Sequence, residues 1–214
     1  MSFPAEAIFK KLYASFGPQA WWPAKTPFEV MVGAILTQNT AWANVERAIA
    51  NLQDNNALRA RALYLMPRKK IASLIRPAGY YNIKAKRLKN FLKFFFREYS
   101  GSVRKMAGAD IAKLRRQLLS VNGIGEETAD SILLYALNKP VFVVDAYTKR
   151  IFARHGFISK EALYQQVQDL CTESLSRSAR LFNEYHALLV RLGKDYCRKR
   201  KPRCEICPLK QACS

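Results

Sequence analysis

The sequence predicts an all-α protein, and three observations support this fold class. Apolar residues recur with the three- and four-residue spacing of amphipathic helices along nearly the whole chain. Val141–Val144 is the one convincing β-branched run, and it is too short to make a sheet. Half of the 214 residues are apolar, enough for a substantial core, yet no uncharged apolar run approaches the roughly 18 residues that cross a bilayer.

The first half of the chain alternates helical segments with short breaks. Thr26–Glu29 is a capping box with proline at the first helical position, so a helix begins there and runs to about Thr37. Gln38–Thr40 interrupts this pattern before a second helix over Ala41–Leu52. The other helices predicted here cover Phe3–Phe16, Pro67–Ile75 and Lys84–Tyr99, the last with a cationic face.

The second half is helical in the same way. Asp110 is placed to cap a helix over Ile111–Ser120, and Val121–Gly125 joins it to a helix over Glu126–Asn138. Glycines in this joint permit positive φ, so that backbone N–H groups can point outward and bind a phosphate oxygen; a plain tight turn is the alternative. Three more helices are predicted, at about 146–154, 160–173 and 178–193.

Positive charge is concentrated in two segments. The chain has 36 Lys plus Arg against 16 Asp plus Glu, a net charge of +20. Residues 68–105 contain twelve basic residues and one acid, and residues 191–214 contain eight and two, so these segments hold 17 of the 20 excess charges. Concentrated positive charge favours a nucleic-acid partner over a membrane surface or a purely solubilising role.

Four of the five cysteines lie together near the end of the sequence, at Cys197, Cys204, Cys207 and Cys213. With no export signal at the start of the sequence, a metal site is favoured over disulfides. Zinc commonly uses two close pairs, whereas an iron–sulfur cluster suits this uneven spacing and is favoured here. The fifth cysteine, Cys171, lies in a helical pattern and is predicted to be an inert core residue.

The hairpin Val121–Gly125, the segment Val143–Asp145 twenty residues later and the four-cysteine loop together resemble the helix-hairpin-helix DNA glycosylases of the endonuclease III superfamily. The resemblance covers essentially the whole chain, and the cysteine spacing matches the 4Fe-4S loop of that family. It implies two helical domains flanking a DNA-binding cleft. We expect a six-helix barrel at 26–139, with the hairpin at about 111–138. The second domain then combines residues 1–25 with 140–214, including the cluster loop at 197–213.

One position departs from endonuclease III itself. That enzyme has a lysine two residues after the second hairpin glycine, whose amine forms a Schiff base with the sugar and leads to strand cleavage. Glu127 stands at this position, and a carboxylate cannot form an imine. The resemblance therefore implies a monofunctional glycosylase. A purely structural role, favoured by the helix dipole, is the alternative for Glu127.

Several segments are similar to the 3-methyladenine branch of the superfamily, among them residues 21–23, 36–40 and 76–88. In that branch aromatic rings sandwich the excised base, and the matching positions here are Trp21 and Trp42, with Trp22 beside them. A positively charged alkylated purine would gain a cation–π contribution there. Core packing is the alternative for each tryptophan. One member type of the branch lacks the cysteine loop and has a pocket lysine where this chain has Leu188.

The resemblance also assigns the catalytic and DNA-contacting residues. Asp145 is expected to stabilise the sugar oxocarbenium and to orient or deprotonate water, besides capping a helix, and to face Glu127 across the cleft. Gln38 is expected to fill the gap left by a flipped nucleotide, with helix capping as the alternative. The remaining DNA-binding candidates are Asn122, Gly123, Ile124, Gly125, Thr128 and Lys149, with Tyr147 and Arg150 close by.

The expected function is removal of alkylated purines, most of all 3-methyladenine, from duplex DNA by a monomer inside the cell, in the cytoplasm or on the nucleoid. An endonuclease III-like glycosylase and abasic-site lyase for oxidised pyrimidines, using another lysine, is the first alternative. A mismatch-specific glycosylase and a non-catalytic binder of damaged DNA are the others.

Overall fold

The computed structural model describes residues 3–19 and 24–210. Within those residues every regular element is helical and no strand is present, so the all-α prediction is confirmed. The α-helices are α1 Ala5–Phe16, α2 Pro27–Leu36, α3 Trp42–Asp54, α4 Ala60–Leu65, α5 Arg68–Leu74, α6 Tyr81–Tyr99, α7 Val103–Ala107, α8 Ile111–Leu119, α9 Glu126–Ser131, α10 Ala146–Arg154, α11 Tyr164–Glu173 and α12 Ala179–Asp195. Short 3₁₀ turns occupy Arg76–Ala78 and Cys204–Ile206.

The helix predictions need four corrections. The short helices α4 and α7 were not expected, because six and five residues are too few to establish a helical period. Helix α11 begins at Tyr164 rather than near residue 160, because the Leu163 N–H is capped by the Gln166 side chain. The segment after α9 continues as a π-helix over Ile132–Ala136 and ends there rather than at Asn138.

The chain forms two compact units. Residues 24–138 make one, here called the central unit, and residues 1–23 with 139–214 make the other, the terminal unit. The domain boundaries expected from the sequence, and the barrel description, stay a prediction.

Helix α2 lies at the core of the central unit. Its residues Phe28–Leu36 are all buried, as expected for a helix that is apolar on every side. Helix α6 packs against it through aromatic rings, among which Phe95 is stacked 6.2 Å from Phe28 and 5.8 Å from Phe91. The Thr26 side chain accepts from the Glu29 N–H, so α2 begins where expected. The reciprocal bond of a capping box is different, because the Glu29 carboxylate accepts from the Lys25 N–H at 3.3 Å rather than from Thr26.

Helix α12 is the centre of the terminal unit, where it packs against α1 and α10. Phe142 packs edge-to-face against Phe182 and Tyr185 of this helix. Gly193 permits a close approach to α10, since a Cβ there would lie 2.4 Å from Cδ1 of Tyr147. The β-branched run Val141–Val144 is buried but adopts no regular structure, and it leads directly into α10.

Among the described helices none combines the length and the apolar composition that a bilayer crossing needs.

Candidate active site and nucleic-acid interface

Asp145 is the residue immediately before α10 and caps that helix. Its backbone is extended, with φ −112° and ψ −178°, and its Oδ1 accepts from the Thr148 N–H at 2.8 Å and from the Thr148 hydroxyl at 3.0 Å. The second oxygen, Oδ2, lies 3.5 Å from Nε2 of His186 on α12, and only 12% of the Asp145 side chain is exposed. The buried run Val141–Val144 and helix α10 thus hold the Asp145 carboxylate in a fixed position.

The surroundings of Asp145 keep its carboxyl group ionised. Burial acts in the opposite direction, because a carboxylate loses hydration in the interior. The neighbouring His186 and the two Thr148 donors outweigh that effect, and together they hold the pKa of Asp145 below its ordinary value. A carboxylate that is buried yet charged at neutral pH can stabilise a developing positive charge and can accept a proton from water.

The hairpin joins α8 to α9 through residues 120–125. Gly123 has φ +97°, as expected for a glycine in the left-handed region, and a Cβ there would lie 2.3 Å from Cγ of Arg87. The expectation of positive φ does not hold for Gly125, which is extended at φ −95° and caps α9. Gly125 is exposed, and a Cβ there would meet no atom within 4 Å, so its backbone is open to a large ligand.

The hairpin residues around these glycines differ in exposure. Asn122 is exposed, and its backbone carbonyl accepts from the Asn90 side chain at 3.1 Å. Ile124 and Thr128 are buried and anchor the turn to the core of the central unit. A partly buried ion pair also ties the two hairpin helices together, with Nε of Arg115 on α8 donating to Oδ1 of Asp130 on α9 at 2.7 Å.

Gln38 lies in the break between α2 and α3, and its amide is bound to the hairpin. Its Nε2 donates to the Gly123 carbonyl at 3.0 Å and to the Thr128 hydroxyl at 2.9 Å, while its Oε1 accepts from Arg87. Helix capping, the alternative raised by the sequence, is therefore not what this amide does. The structure brings Gln38, Gly123 and Thr128, all predicted DNA-contacting residues, into one hydrogen-bonded group.

The other predicted pocket and catalytic residues are placed as follows. Glu127 is exposed in the first turn of α9. Trp42 is the first residue of α3 and is half-buried. Trp21 and Trp22 lie outside the described residues. Leu188, the position of a pocket lysine in one related type, is fully buried on α12.

Two cations after Asp145 have structural partners. Lys149 donates from Nζ to the Ala162 carbonyl at 2.9 Å. Arg150 stacks over Tyr147 at 5.0 Å and donates to the carbonyls of Cys197 and Gly193 at 2.8 and 3.0 Å. These contacts join α10 to neighbouring segments, so phosphate binding by Lys149 or Arg150 would require exchange of existing hydrogen bonds.

The described cysteines of the loop are Cys197, Cys204 and Cys207, and Cys213 lies outside the described residues. Burial raises the pKa of the Cys207 thiol, a hydrogen bond with the Leu209 backbone lowers it, and Cys197 and Cys204 raise it slightly, so both cysteines lie within electrostatic range of Cys207. Arg154 donates to Sγ of Cys197 at 3.3 Å. Even so, the part of the chain that the structure describes contains no group of three Cys, His, Asp or Glu side chains arranged to hold a metal ion. Cys171 is fully buried, as predicted.

Two residues of the site, His186 and Arg87, were not predicted from the sequence. His186 belongs to an apolar helical pattern, in which a histidine reads as core. Arg87 is one of many cations in a basic helix. Their partners, Asp145 and Gln38, are 41 and 49 residues away in the sequence, and no local spacing signals such contacts.

Comparison with known proteins decides the family. Residues 32–177 match the family model of the HhH-GPD superfamily base excision DNA repair proteins. Over 208 residues the chain is 50% identical to a protein of Methanocaldococcus jannaschii named "Putative DNA repair glycosylase MJ1434", covering 96% of this chain and 94% of that protein. The chain belongs to the HhH-GPD superfamily. The prediction of a DNA glycosylase of base excision repair is thereby confirmed at the level of the family.

Solved structures of this superfamily share the fold. The Helicobacter pylori 3-methyladenine DNA glycosylase MagIII, bound to 1,N6-ethenoadenine, has a TM-score of 0.78 at 28% identity, covering 90% of this chain and 98% of that one. An endonuclease III–DNA complex has a TM-score of 0.83 at 20% identity, covering 99% and 95%. The chain thus shares its fold with both of these proteins.

Proposed function

We propose that this HhH-GPD protein is a monofunctional DNA N-glycosylase that hydrolyses alkylated purines of the 3-methyladenine type from double-stranded DNA, acting as a monomer. The observation that carries the proposal is the buried, ionised Asp145 in a chain whose hairpin offers Glu127 where a lyase offers lysine.

Asp145 supplies the chemistry of base removal. An alkylated purine is cationic, so it leaves as a neutral base when its bond to C1′ breaks, and the sugar becomes an oxocarbenium ion. The Asp145 carboxylate stabilises that cation, and water then adds at C1′ while its proton passes to the carboxylate. The products are the free base and an abasic sugar in an intact strand.

Glu127 is the reason to expect no strand cleavage. A Schiff base requires a nucleophilic amine, which a carboxylate does not provide. Glu127 is exposed at the start of α9, the position to which the family resemblance assigns the lyase amine. Water is therefore the nucleophile.

The lesion class is inferred from aromatic residues and from a relative. Trp42, at the start of α3, and Trp21 with Trp22 would hold the flipped base, and cation–π attraction favours a cationic purine over a neutral one. The likeness to MagIII, at 28% identity, supports the same class.

Double-stranded DNA with a damaged base is the proposed partner. The turn Asn122–Gly125 would meet phosphates through backbone N–H groups, and its open side at Gly125 leaves room for the backbone of a strand. Gln38 would enter the gap left by the flipped nucleotide. To do so it exchanges its hydrogen bonds with Gly123 and Thr128 for contacts with bases.

A 4Fe-4S cluster is proposed for the cysteine loop, held by Cys197, Cys204, Cys207 and Cys213. Cys197 and Cys204 both act electrostatically on Cys207, which fits ligation of one group by these thiols, and the Arg154 contact to Cys197 would offset part of the negative charge of a cluster. When bound, such a group supplies a covalent cross-link that orders the basic loop. Iron content and visible absorption of the purified protein test it, since a colourless protein containing zinc would contradict the proposal.

Base release from a panel of duplexes tests the function. We expect free base from alkylated-purine DNA, strand breaks only after alkali, and no covalent complex after borohydride. Excision of thymine glycol with a trapped intermediate would establish the lyase alternative. Excision confined to mismatches would indicate the third enzyme class. Tight binding of damaged DNA without release of any base would indicate a non-catalytic binder.

A further inference from the structure

The two oxygens of the Asp145 carboxylate have different surroundings. Oδ1 is occupied by the N–H and hydroxyl of Thr148, which is the ordinary arrangement of a helix N-cap. Oδ2 takes no part in the cap and lies 3.5 Å from Nε2 of His186. The oxygen that remains for chemistry is therefore the one beside the histidine.

His186 reaches Asp145 from a different helix. It lies on α12 with only 7% of its side chain exposed, so water screens the contact little. At 3.5 Å the contact is longer than an ordinary hydrogen bond. Thr148 and Asp145 belong to the start of α10, so a contact from α12 fixes the carboxylate from a second, independent direction.

The packing of α12 on α10 sets the distance between these two residues. Gly193 brings the helices so close that Tyr147 occupies the space a Cβ would need. Arg150 then donates to the Gly193 carbonyl at 3.0 Å and to the Cys197 carbonyl at 2.8 Å. This close crossing fixes the position of the α12 backbone at Gly193, seven residues after His186. It does so relative to α10, the helix that Asp145 caps.

We propose that His186 is a positioning residue for the proposed reaction, donating from Nε2 to Oδ2 of Asp145 and thereby keeping the carboxylate charged and aimed. The inference rests on the proposed function only for its effect on rate. The contact itself is a property of the terminal unit alone.

The consequence for pH dependence follows from the balance around Asp145. Burial favours the neutral acid, while His186 and Thr148 favour the carboxylate, and together these two hold the pKa of Asp145 below its ordinary value. Removing the histidine leaves burial opposed by Thr148 alone, so the pKa of Asp145 rises. Because the ionised carboxylate is the active form, the loss of activity on acidification moves to higher pH.

The main experiment measures single-turnover base release from alkylated-purine DNA between about pH 5 and 8, after subtraction of spontaneous release. His186→Leu removes the donor, and His186→Gln keeps a neutral N–H donor at the end of the side chain. We expect an acid limb to shift upward by about one unit in His186→Leu, a roughly tenfold lower rate at the acid end, and partial rescue in His186→Gln. Unchanged profiles in both variants would overturn the proposal.

The second histidine of the chain provides a matched control. His155 follows α10 and stacks on Phe157 at 5.8 Å, away from the Asp145 carboxylate contacts described above. His155→Gln is expected to leave the pH profile unchanged. Binding to a duplex with a stable abasic analogue, and the melting temperature, show for every variant that the fold is intact.

A second measurement does not depend on activity. With two histidines in the chain, ¹⁵N-edited NMR resolves each imidazole, and assignment follows from the variants. We expect the Nε2 resonance of His186 to shift in Asp145→Asn while that of His155 does not. Identical His186 spectra with and without the carboxylate would refute the contact. If the wild-type protein releases no base from any duplex, the proposed function fails and the NMR result still decides the contact.

Discussion

Lys84 in the central unit and Asp145 in the terminal unit are both buried charges, and their partners differ in kind. Nζ of Lys84 donates to the carbonyls of Leu36 and Ala78 at 2.7 and 2.8 Å, and the residue is 1% exposed. Burial, with a smaller contribution from the nearby Arg87 cation, lowers its pKa to about 8. The pKa of Asp145 is lowered too. A lower pKa means a less stable charge for lysine but a more stable charge for aspartate.

The difference shows what keeps a buried group ionised. Two neutral carbonyls accept hydrogen bonds from Lys84 without offsetting the loss of hydration. Asp145 has an imidazole and two donors directed at it, and these outweigh the same loss. Lys84 has a structural role, because its ammonium group joins the end of α2 to the turn after α5. Asp145 instead keeps an ionised carboxylate, which can act in a reaction.

The largest expected effect comes from Asp145→Asn. Asparagine caps a helix about as well as aspartate, so the melting temperature should change little. Base release should fall by about 10²–10⁴-fold, because the charge that stabilises the sugar cation and accepts the proton is gone. Single-turnover assays and thermal melting measure the two effects.

Asp110→Asn is the matched control, because Asp110 caps α8 in the same way, with Oδ1 accepting from the Lys113 N–H at 2.8 Å. It should leave base release unchanged. Equal rates of base release for Asp145→Asn and the wild-type protein would show that Asp145 takes no part in the mechanism. The ionised Asp145 carboxylate would then have no functional meaning that Lys84 lacks.

A smaller effect, on stability, is expected from Lys84→Met. Methionine fills similar space but leaves the Leu36 carbonyl without its donor, while Ala78 keeps the Thr40 hydroxyl at 2.6 Å. Part of this loss is offset because no charge remains to be buried. We expect the free energy of unfolding to fall by about 1–3 kcal/mol in chemical denaturation at neutral pH.

Lys86→Met serves as the control, since Lys86 is exposed on the same helix. A change there of similar size would mean that charge on α6 matters rather than the buried contact, and the comparison with Asp145 would lose its basis.

The sequence predicted the parts of the site that depend on local pattern. Asp145 as an N-cap, the positive φ of Gly123 and the buried Cys171 follow from residues adjacent to each position. Lys84 shows the limit of such reasoning. The sequence predicts a cationic face for α6, whereas Lys84 is buried, because its partners come from α2 and from the turn at residue 78.

Long-range side-chain contacts could not be read in the same way. The Gln38 amide is bound by residues 85 and 90 positions later, and His186 meets Asp145 across two helices. A helical period predicts which face is buried but not which polar side chains meet on it. The π-helix at Ile132–Ala136 was missed for a related reason, since a π-turn changes backbone hydrogen bonding without changing the apolar pattern.

The pH dependence of stability gives the finest test of the comparison. Since the pKa of Lys84 is about 8 in the folded protein and near 10.5 in the unfolded chain, the unfolded chain binds more protons between these values. Stability attributable to Lys84 therefore rises with pH, by about 1 kcal/mol per unit at most. Denaturation of wild-type and Lys84→Met proteins from about pH 7 to 10 isolates it, because other titrating groups cancel in the difference.

We expect the free energy of unfolding of the wild-type protein to rise relative to that of Lys84→Met as the pH rises through 8. The difference in unfolding free energy between the wild-type protein and Lys86→Met should not change with pH. A difference that is flat for Lys84→Met would mean that the two carbonyls hold the ammonium charged as effectively as His186 and Thr148 hold the carboxylate. Neutral acceptors would then suffice to keep a buried group ionised. The His186 imidazole beside Asp145 would in that case need a role other than keeping the carboxylate ionised.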